Sequence, residues 1–327
     1  MSELLYKPSY TITDEILTLV AQIAARIDVL SIQSGMEQNP KLRRLNRLRS
    51  IHSSLAIENN TLSLEQISAL FEGKNILAPA QDICEAQNAF EVYDRLLEFN
   101  PYDLMDLLAA HKILMKDLVK DSGRFRSGSI GVVRGNELVH IAPPAANVSG
   151  LMADLFRWTK ESPAHPLIKS CVFHYEFEII HPFSDGNGRM GRMWQTLLLH
   201  EWKELFAWLP VETIVWERQE EYYAALGESN DADNCTVFLH FMLNAIWDTL
   251  NMYATTDQVT DQVKLLLSAL GADVLSALEL MKLLNLKHRP TFRKNYLQPA
   301  LEVGLIEMTI PQTPNARNQK YRKPNKI

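Results

Sequence analysis

Cysteine is scarce in this sequence, with Cys84, Cys171 and Cys235 the three present in 327 residues. Their odd number and wide spacing, without a CxxC pair, argue against a disulfide framework or a zinc ribbon and fit a reducing compartment. Glycine is also sparse, at 13 residues, and apolar residues recur at spacings of three and four, so helices are expected to dominate. No apolar run is long enough to span a membrane. The opening MSELLYKPSYTITDE has neither the basic start nor the continuous apolar stretch of a secretion signal. The expectation is a cytoplasmic protein that makes no membrane contact. Positive charge is not in excess either: the formal net charge is −6, so the chain as a whole does not point to nucleic acid. The tail differs. From Lys264 onward there are eleven Lys or Arg against four Asp or Glu, a net of +7 that leaves −13 for the preceding residues.

The 46% hydrophobic content is enough for a large core and two or three domains. Helical periodicity covers Thr13 to Val29, Arg43 to Ala56, Ser63 to Phe71 and Ala80 to Phe99, the third opened by a Ser63-Leu64-Glu65-Gln66 capping box. Pro101 introduces a helix from Tyr102 to Lys120 that stops at Asp121-Ser122-Gly123. The run SIGVVRGNELVHIAPP, residues 129 to 144, is rich in β-branched residues around Gly135-Asn136 and predicts a short hairpin. Helices resume over Ser149 to Lys160, Pro166 to Ile180 and Arg189 to Leu205. Past Thr255 a basic module follows: helix Val274 to Leu284, a turn at Lys287-His288-Arg289-Pro290, helix Thr291 to Val303, then strands Leu305 to Ile310 and Lys320 to Lys323. Two helices and a hairpin wing outline a winged helix-turn-helix. The expected regions are 1–100, 101–255 and 256–327.

The segment HPFSDGNGRMGR, residues 181 to 192, concentrates chemistry. A residue before proline is pushed out of helical geometry, so His181 should sit at a helix exit with its ring towards an opening. Asp185-Gly186-Asn187-Gly188-Arg189 supplies a tight turn whose backbone N–H groups face one concavity, and a helix begins directly afterwards, an arrangement that binds anionic oxygens. Arg189 and Arg192, three apart on one helix face, add two positive forks suited to phosphate. Asp185 is a hard oxygen ligand for Mg2+, and His181 a base of near-neutral pKa. A lone Gly-Asn-Gly turn or a lone histidine is ordinarily structural; the conjunction within twelve residues is what points to transfer at phosphorus.

This segment matches every fixed position of the Fic family signature, His-x-Phe-x-Asp/Glu-Gly-Asn-Gly-Arg-x-x-Arg, and the chain resembles that family. The resemblance implies a mainly α fold: a Fic-type helical core with a short β-hairpin flap, a helical N-terminal region and the C-terminal winged helix-turn-helix. It implies AMP transfer from ATP to a Ser, Thr or Tyr hydroxyl of a target protein or of the chain itself, although other members use other phosphorylated donors. By motif position, His181 resembles the general base, Asp185 the Mg2+ ligand, and Gly186, Asn187 and Gly188 the anion hole. Arg189 and Arg192 resemble the phosphate-binding pair, with Phe183 supporting the loop. Ser129, Ile130, Gly131, Val132, Val133, His140 and Ile141 would form the target-docking flap. Tyr223 and Asn230 resemble positions near the nucleotide base.

Upstream, Ser54-Leu55-Ala56-Ile57-Glu58-Asn59 resembles the family's inhibitory pattern, Ser/Thr-x-x-x-Glu-Gly/Asn. A glutamate near a helix end is ordinarily a solvated charge; by resemblance, Ser54 and Glu58 form an inhibitory segment in which Glu58 opposes Arg192 where the γ-phosphate must lie. In some members the same glutamate aligns a water that removes AMP, so a de-AMPylating or bifunctional enzyme is the alternative. Family members also form homodimers. Two further readings come from the residues. His174, Glu178 and His181 include a Glu-x-x-His unit of the di-iron type, but the second, Glu137 to His140, falls in the hairpin, where residues three apart face opposite ways. The basic tail, 274–323, suggests a DNA-binding regulator through Arg289, Arg293, Lys294, Arg317, Lys320, Arg322 and Lys323, although such modules also serve protein contacts.

Overall fold

The computed structural model describes residues 6–33, 40–134, 137–257, 261–271, 273–302, 305–310, 316 and 319–323. It divides into two compact units, Met1–Leu250 and Asn251–Ile327.

The first unit is helical. Helices α1 (Asp14–Gln33), α2 (Pro40–Ile57), α3 (Leu64–Phe71), α4 (Ala80–Asp94) and α5 (Leu104–Leu114) precede a two-stranded hairpin, β1 (Gly131–Arg134) and β2 (Glu137–Ile141). Then come α6 (Ala145–Glu161), α7 (Pro166–Ile180), α8 (Asn187–Trp202), α9 (Val211–Glu217), α10 (Gln219–Asp231) and α11 (Thr236–Asp257), whose residues from Asn251 onward belong to the second unit. The capping box of α3 forms as the sequence predicts: Gln66 N–H donates to Ser63 Oγ at 3.2 Å, and Ser63 N–H to Gln66 Oε1 at 2.9 Å.

Helix α7 is apolar over most of its circumference and largely buried, with Leu167, Cys171, Val172, Phe173 and Phe177 fully enclosed and Lys169 and Glu176 on its half-buried side. Its limits follow from its prolines. Pro166 occupies the first turn, where a missing N–H costs nothing, behind His165, whose ring accepts from Leu167 N–H. Pro182 stops the other end. Helix α8 packs back along α7, and Trp194, Met190, Met193 and Leu197 join Phe173 and Phe177 in the main core with α2, α4, α5 and α6.

The helix expected over Tyr102 to Lys120 ends earlier, at Leu114. Met115 turns inward to complete burial, and Asp117 adopts φ 61°, a left-handed conformation that no helix continues through. The hairpin pairs Gly131 with Ile141 and Arg134 with Glu137, with a bulge between Val132 and Val133. Its expected turn, Gly135-Asn136, lies outside the described residues.

The second unit contains α12 (Asp261–Leu270), β3 (Leu275–Ser276), α13 (Ala277–Leu283) and α14 (Arg289–Phe292), which continues through a π turn (Arg293–Leu297) into α15 (Gln298–Glu302). Strands β4 (Glu307–Met308) and β5 (Lys320–Arg322) follow, and the sheet runs β3-β5-β4, antiparallel throughout. Val263, Leu266, Leu270, Leu280, Phe292, Leu297, Ala300, Ile306 and Tyr321 form its core. The helix expected from Val274 starts at Ala277 instead, because Leu275 and Ser276 pair with β5 and Ser276 caps α13 in a box with Glu279. The π turn precedes Pro299, which has no N–H to continue the α-helical ladder. Among the described residues no helix is long and apolar enough to cross a membrane.

Candidate active site

The segment from His181 to Arg192 forms the loop between α7 and the first turn of α8. His181 leaves helical geometry, into the left-handed region (φ 48°, ψ 61°) rather than the extended one that a following proline favours. Its Nδ1 lies 3.3 Å from the Glu178 carbonyl. A carbonyl can only accept, so Nδ1 carries the hydrogen and Nε2 is the basic nitrogen.

Asn187 closes the loop on itself. Its Oδ1 accepts from Phe183 N–H and its Nδ2 donates to the Phe183 carbonyl, both at 2.9 Å. Gly186 has φ 83°, and a Cβ there would stand 2.6 Å from Met115 Sδ, so the turn admits glycine alone. Asp185, with its side chain 56% exposed, stands at the rim; its Oδ1 accepts from Gly186 N–H at 2.5 Å and from Arg189 Nη2 at 3.2 Å.

The two arginines differ. Arg189 is buried, and its Nε and Nη1 have no hydrogen-bond partner. Buried donors are rarely left this way, and an arginine oriented with orphan N–H groups is suited to phosphate oxygens. Arg192 is committed: Nε donates to Ser54 Oγ at 3.2 Å, and Nη2 to the Ser54 carbonyl at 3.0 Å and to Glu58 Oε1 at 2.7 Å. Burial works against its charge, but Glu58, Tyr222 and Glu178 more than offset it, and the Arg192 pKa is raised.

Glu58 follows the end of α2. That helix is fixed by polar contacts along one side: Ser50 Oγ donates to Glu212 Oε2 at 2.9 Å, Ser53 Oγ to Thr213 Oγ1 at 3.1 Å, and Asn46 Nδ2 to the Trp208 carbonyl at 3.0 Å. The last carbonyl of α2, Ile57, accepts from Gln219 Nε2 at 2.8 Å and Tyr223 Oη at 3.4 Å, both on α10. Asn230 lies seven residues on, half-buried and on the same face of α10, which lies against β2. At the flap, Ser129 and Ile141 are exposed and Ile130 half-buried, and Ala142 N–H extends the pairing to the Ile130 carbonyl at 3.2 Å. The strands carry Gly131, Val132, Val133 and His140 between them; the side chains of 132–140 lie outside the described residues.

Two supports have no counterpart in the sequence reading. His111, fully buried on α5, stacks on Phe183 at 3.6 Å between ring centres; its Nδ1 accepts from Gly123 N–H at 2.8 Å and its Nε2 donates to the Asp185 carbonyl at 3.0 Å. Burial pushes its pKa down to about 4. Arg126 gathers the backbone around His181. Its Nε donates to the His181 carbonyl at 2.7 Å, Nη1 to Gly128 at 2.9 Å, and Nη2 to Pro143 at 2.5 Å and Ile180 at 3.3 Å. It thereby ties the exit of α7 to both ends of the flap.

The histidine and carboxylate grouping weighed as a metal cluster has other uses. His174 Nδ1 meets Gln195 Oε1 at 2.6 Å and Nε2 meets Tyr222 Oη at 3.1 Å. Among the described residues no group of three or more His, Cys, Asp or Glu is arranged to hold a metal ion. An exposed carboxylate beside a turn of backbone amides and arginines has the chemistry that suits Mg2+, which binds through one or two carboxylates together with phosphates rather than in a protein cage. In the second unit Arg289, Arg293, Lys294, Lys320, Arg322 and Lys323 are exposed, Arg322 pairing with Glu307; Arg317 lies outside the described residues.

A Fic/DOC family model matches residues 101–199, and a model for the C-terminal domain of "filamentation induced by cAMP protein Fic-like" matches residues 261–323. The crystal structure of a Fic family protein from Desulfovibrio desulfuricans G20 is 50% identical with a TM-score of 0.75, covering 98% of this chain and 99% of that one. Fic-1 of C. elegans, residues 134 to 508, shares the fold at a TM-score of 0.60 and 19% identity, over 74% of this chain and 72% of its own. Among curated proteins, the protein adenylyltransferase Fic of Aedes aegypti is 27% identical over 253 residues, 72% of this chain and 48% of the relative. That of Drosophila erecta is 28% identical over 246 residues, 71% of this chain and 47% of the relative. The chain spans about half the length of these curated relatives.

Proposed function

The chain belongs to the Fic family, and from that premise we propose that it is a protein adenylyltransferase that moves AMP from ATP to a Ser, Thr or Tyr hydroxyl, restrained at rest by Glu58. One observation carries this reading. At a single loop, a histidine whose basic nitrogen is Nε2 adjoins a buried arginine with two orphan donors and a second arginine occupied by an internal carboxylate.

The target hydroxyl gives its proton to His181 Nε2 as its oxygen attacks the α-phosphorus, and pyrophosphate departs with its charge held by Arg189 and the loop amides. Mg2+ carried on the triphosphate would be held by Asp185 and would neutralise phosphate charge. Arg126 holds the His181 carbonyl and hence the ring's approach. Glu58 takes the Arg192 donor that the γ-phosphate needs, so ATP can reach a productive pose after that pair opens. A segment of the target hydroxyl protein lies along the flap as an added strand.

Intact-mass measurement after incubation with ATP and Mg2+ tests the reading. Glu58→Gly should gain the mass of AMP on itself or on added protein, the unchanged chain much less, and Glu58→Gly with His181→Ala none. Loss of AMP from pre-modified protein in the presence of intact Glu58 would assign the reverse direction. No adduct on Glu58→Gly with ATP, GTP, UTP, CTP or CDP-choline would refute nucleotidyl transfer.

A second reading concerns the C-terminal unit. From Lys287 to Gln298 the exposed residues include Lys287, Arg289, Arg293 and Lys294 and no acid, with Phe292 and Leu297 buried behind them. A helix face of that composition suits duplex DNA.

A further inference from the structure

Arg189 has two neighbours of opposite charge and hydrogen-bonds one of them. Its Nη2 meets Asp185 Oδ1 at 3.2 Å, whereas its Nη1 stands 3.7 Å from Glu85 Oε1, beyond hydrogen-bonding distance. Glu85, on α4, is 9% exposed. It is held in place by amides: Asn60 Nδ2 donates to Oε2 at 2.9 Å and Gln81 Nε2 to Oε1 at 3.2 Å. Asn60 lies two residues beyond Glu58 and is itself fixed, its N–H on the Leu55 carbonyl at 3.1 Å and its Oδ1 accepting from Leu62 N–H at 3.1 Å. The carboxylate facing Arg189 is therefore positioned by the same segment that carries the carboxylate facing Arg192.

We propose that Glu85 is a second acidic restraint on the cradle, offsetting the charge of Arg189 and held in place by Asn60 of the inhibitory segment. The proposal rests on reading residues 186–192 as a phosphate cradle. Glu85 acts differently from Glu58. Glu58 occupies a donor of Arg192, and a phosphate must displace it. Glu85 forms no hydrogen bond with Arg189, so a phosphate that reaches Nη1 or Nε has no carboxylate to displace there and meets a like charge 3.7 Å from Nη1, in a buried setting that screens little. Removing that charge should raise affinity for the triphosphate without altering the reacting groups.

The test uses the full chain in the Glu58→Gly background, with ATP and Mg2+ as the probe. Glu85→Gln preserves shape and removes charge. Calorimetry should show ATP bound about three- to tenfold more tightly than by Glu58→Gly alone. In the transfer assay KM should fall while kcat stays within about twofold, a split that mere loosening of α4 would not give. Affinity unchanged within about twofold, or weakened, would overturn the restraint and leave the cradle standing, provided Arg189→Ala still abolishes ATP binding. Failure of Glu58→Gly to bind ATP at all would overturn the cradle reading instead, and the restraint with it. Should Glu85→Gln fail to fold, Glu85→Asp draws the charge back by one methylene and should tighten ATP binding in the same direction; no tightening overturns the proposal.

Discussion

Protonation of His111 should release the loop that carries Asp185, at a cost to the fold of about 3 kcal/mol. Both ring nitrogens are committed, Nδ1 as acceptor from Gly123 N–H and Nε2 as donor to the Asp185 carbonyl. Only the neutral ring can do both, because an imidazolium would set one N–H against another. Burial lowers the pKa from 6.5 to about 4, and at about 1.4 kcal/mol per pKa unit that difference gives the estimate of about 3 kcal/mol. A native pKa below the unfolded one means that the unfolded chain binds more protons across this window. The stabilisation is therefore complete above pH about 6.5, lost as pH falls towards about 4, and constant below that. Urea unfolding at a series of pH values from about 7.5 to 4 measures it, comparing the unchanged chain with His111→Gln, whose amide can accept and donate but does not titrate. The unchanged chain should lose about 3 kcal/mol more than the variant over this range, with the protection of the Gly123 amide, taken relative to the intrinsic exchange rate at each pH, falling in step. Parallel stability curves for the two proteins would refute the assignment.

Arg126→Lys replaces a fork that spans four carbonyls with a single ammonium. Since charge-assisted bonds contribute about 1.5–3 kcal/mol each, it should lower stability by about 2–3 kcal/mol. It should also reduce kcat by about tenfold or more while ATP affinity stays within about twofold, since Arg126 bonds the His181 carbonyl and no group of residues 186–192; an unchanged kcat would remove its positioning role. For the C-terminal unit, duplex DNA should be retarded in a mobility-shift titration at low salt and released as salt rises, and Arg289→Ala with Lys294→Ala should weaken it across sequences. The shift should survive His181→Ala, and its absence at low salt would exclude DNA as the partner.

What the sequence reveals of this site depends on whether a contact leaves a mark in the chain. The loop from His181 to Arg192 is contiguous, and its turn chemistry and the bounding Pro166 and Pro182 make α7 legible to both ends. Glu58 stands 134 positions from Arg192 and is found through the pattern around it, because the pair itself has no local signature. His111 and Arg126 escape for a different reason. Their partners are backbone groups, the Asp185 and His181 carbonyls and the Gly123 amide, and a backbone atom imposes no residue type on the chain around it. Helix α5 is overextended in sequence because Leu108 to Lys120 keeps helical periodicity. Burial of Met115 beneath Gly186 ends the helix, and that is a tertiary event.

Gly188 links the loop to the inhibitory contact on Arg192. A Cβ there would lie 2.2 Å from Glu58 Oε1 and 2.9 Å from Arg192 Nη1, so the glycine that on the proposed function admits phosphate also gives Glu58 its seat. An internal carboxylate and a nucleotide phosphate cannot both use that space. With neither present, Arg192 would keep its charge in a nearly closed pocket, its side chain 2% exposed, with Ser54 its remaining hydrogen-bond partner among the described residues. The cradle therefore needs an anion in order to be stable as well as to react. Glu58, one-third exposed at its side chain, is the one that water can reach and solvate on release, so opening the pair strands the arginine rather than the glutamate. On the proposed function, restraint and stability are then the same contact, and substitutions that free the enzyme should make it depend on bound nucleotide for part of its fold.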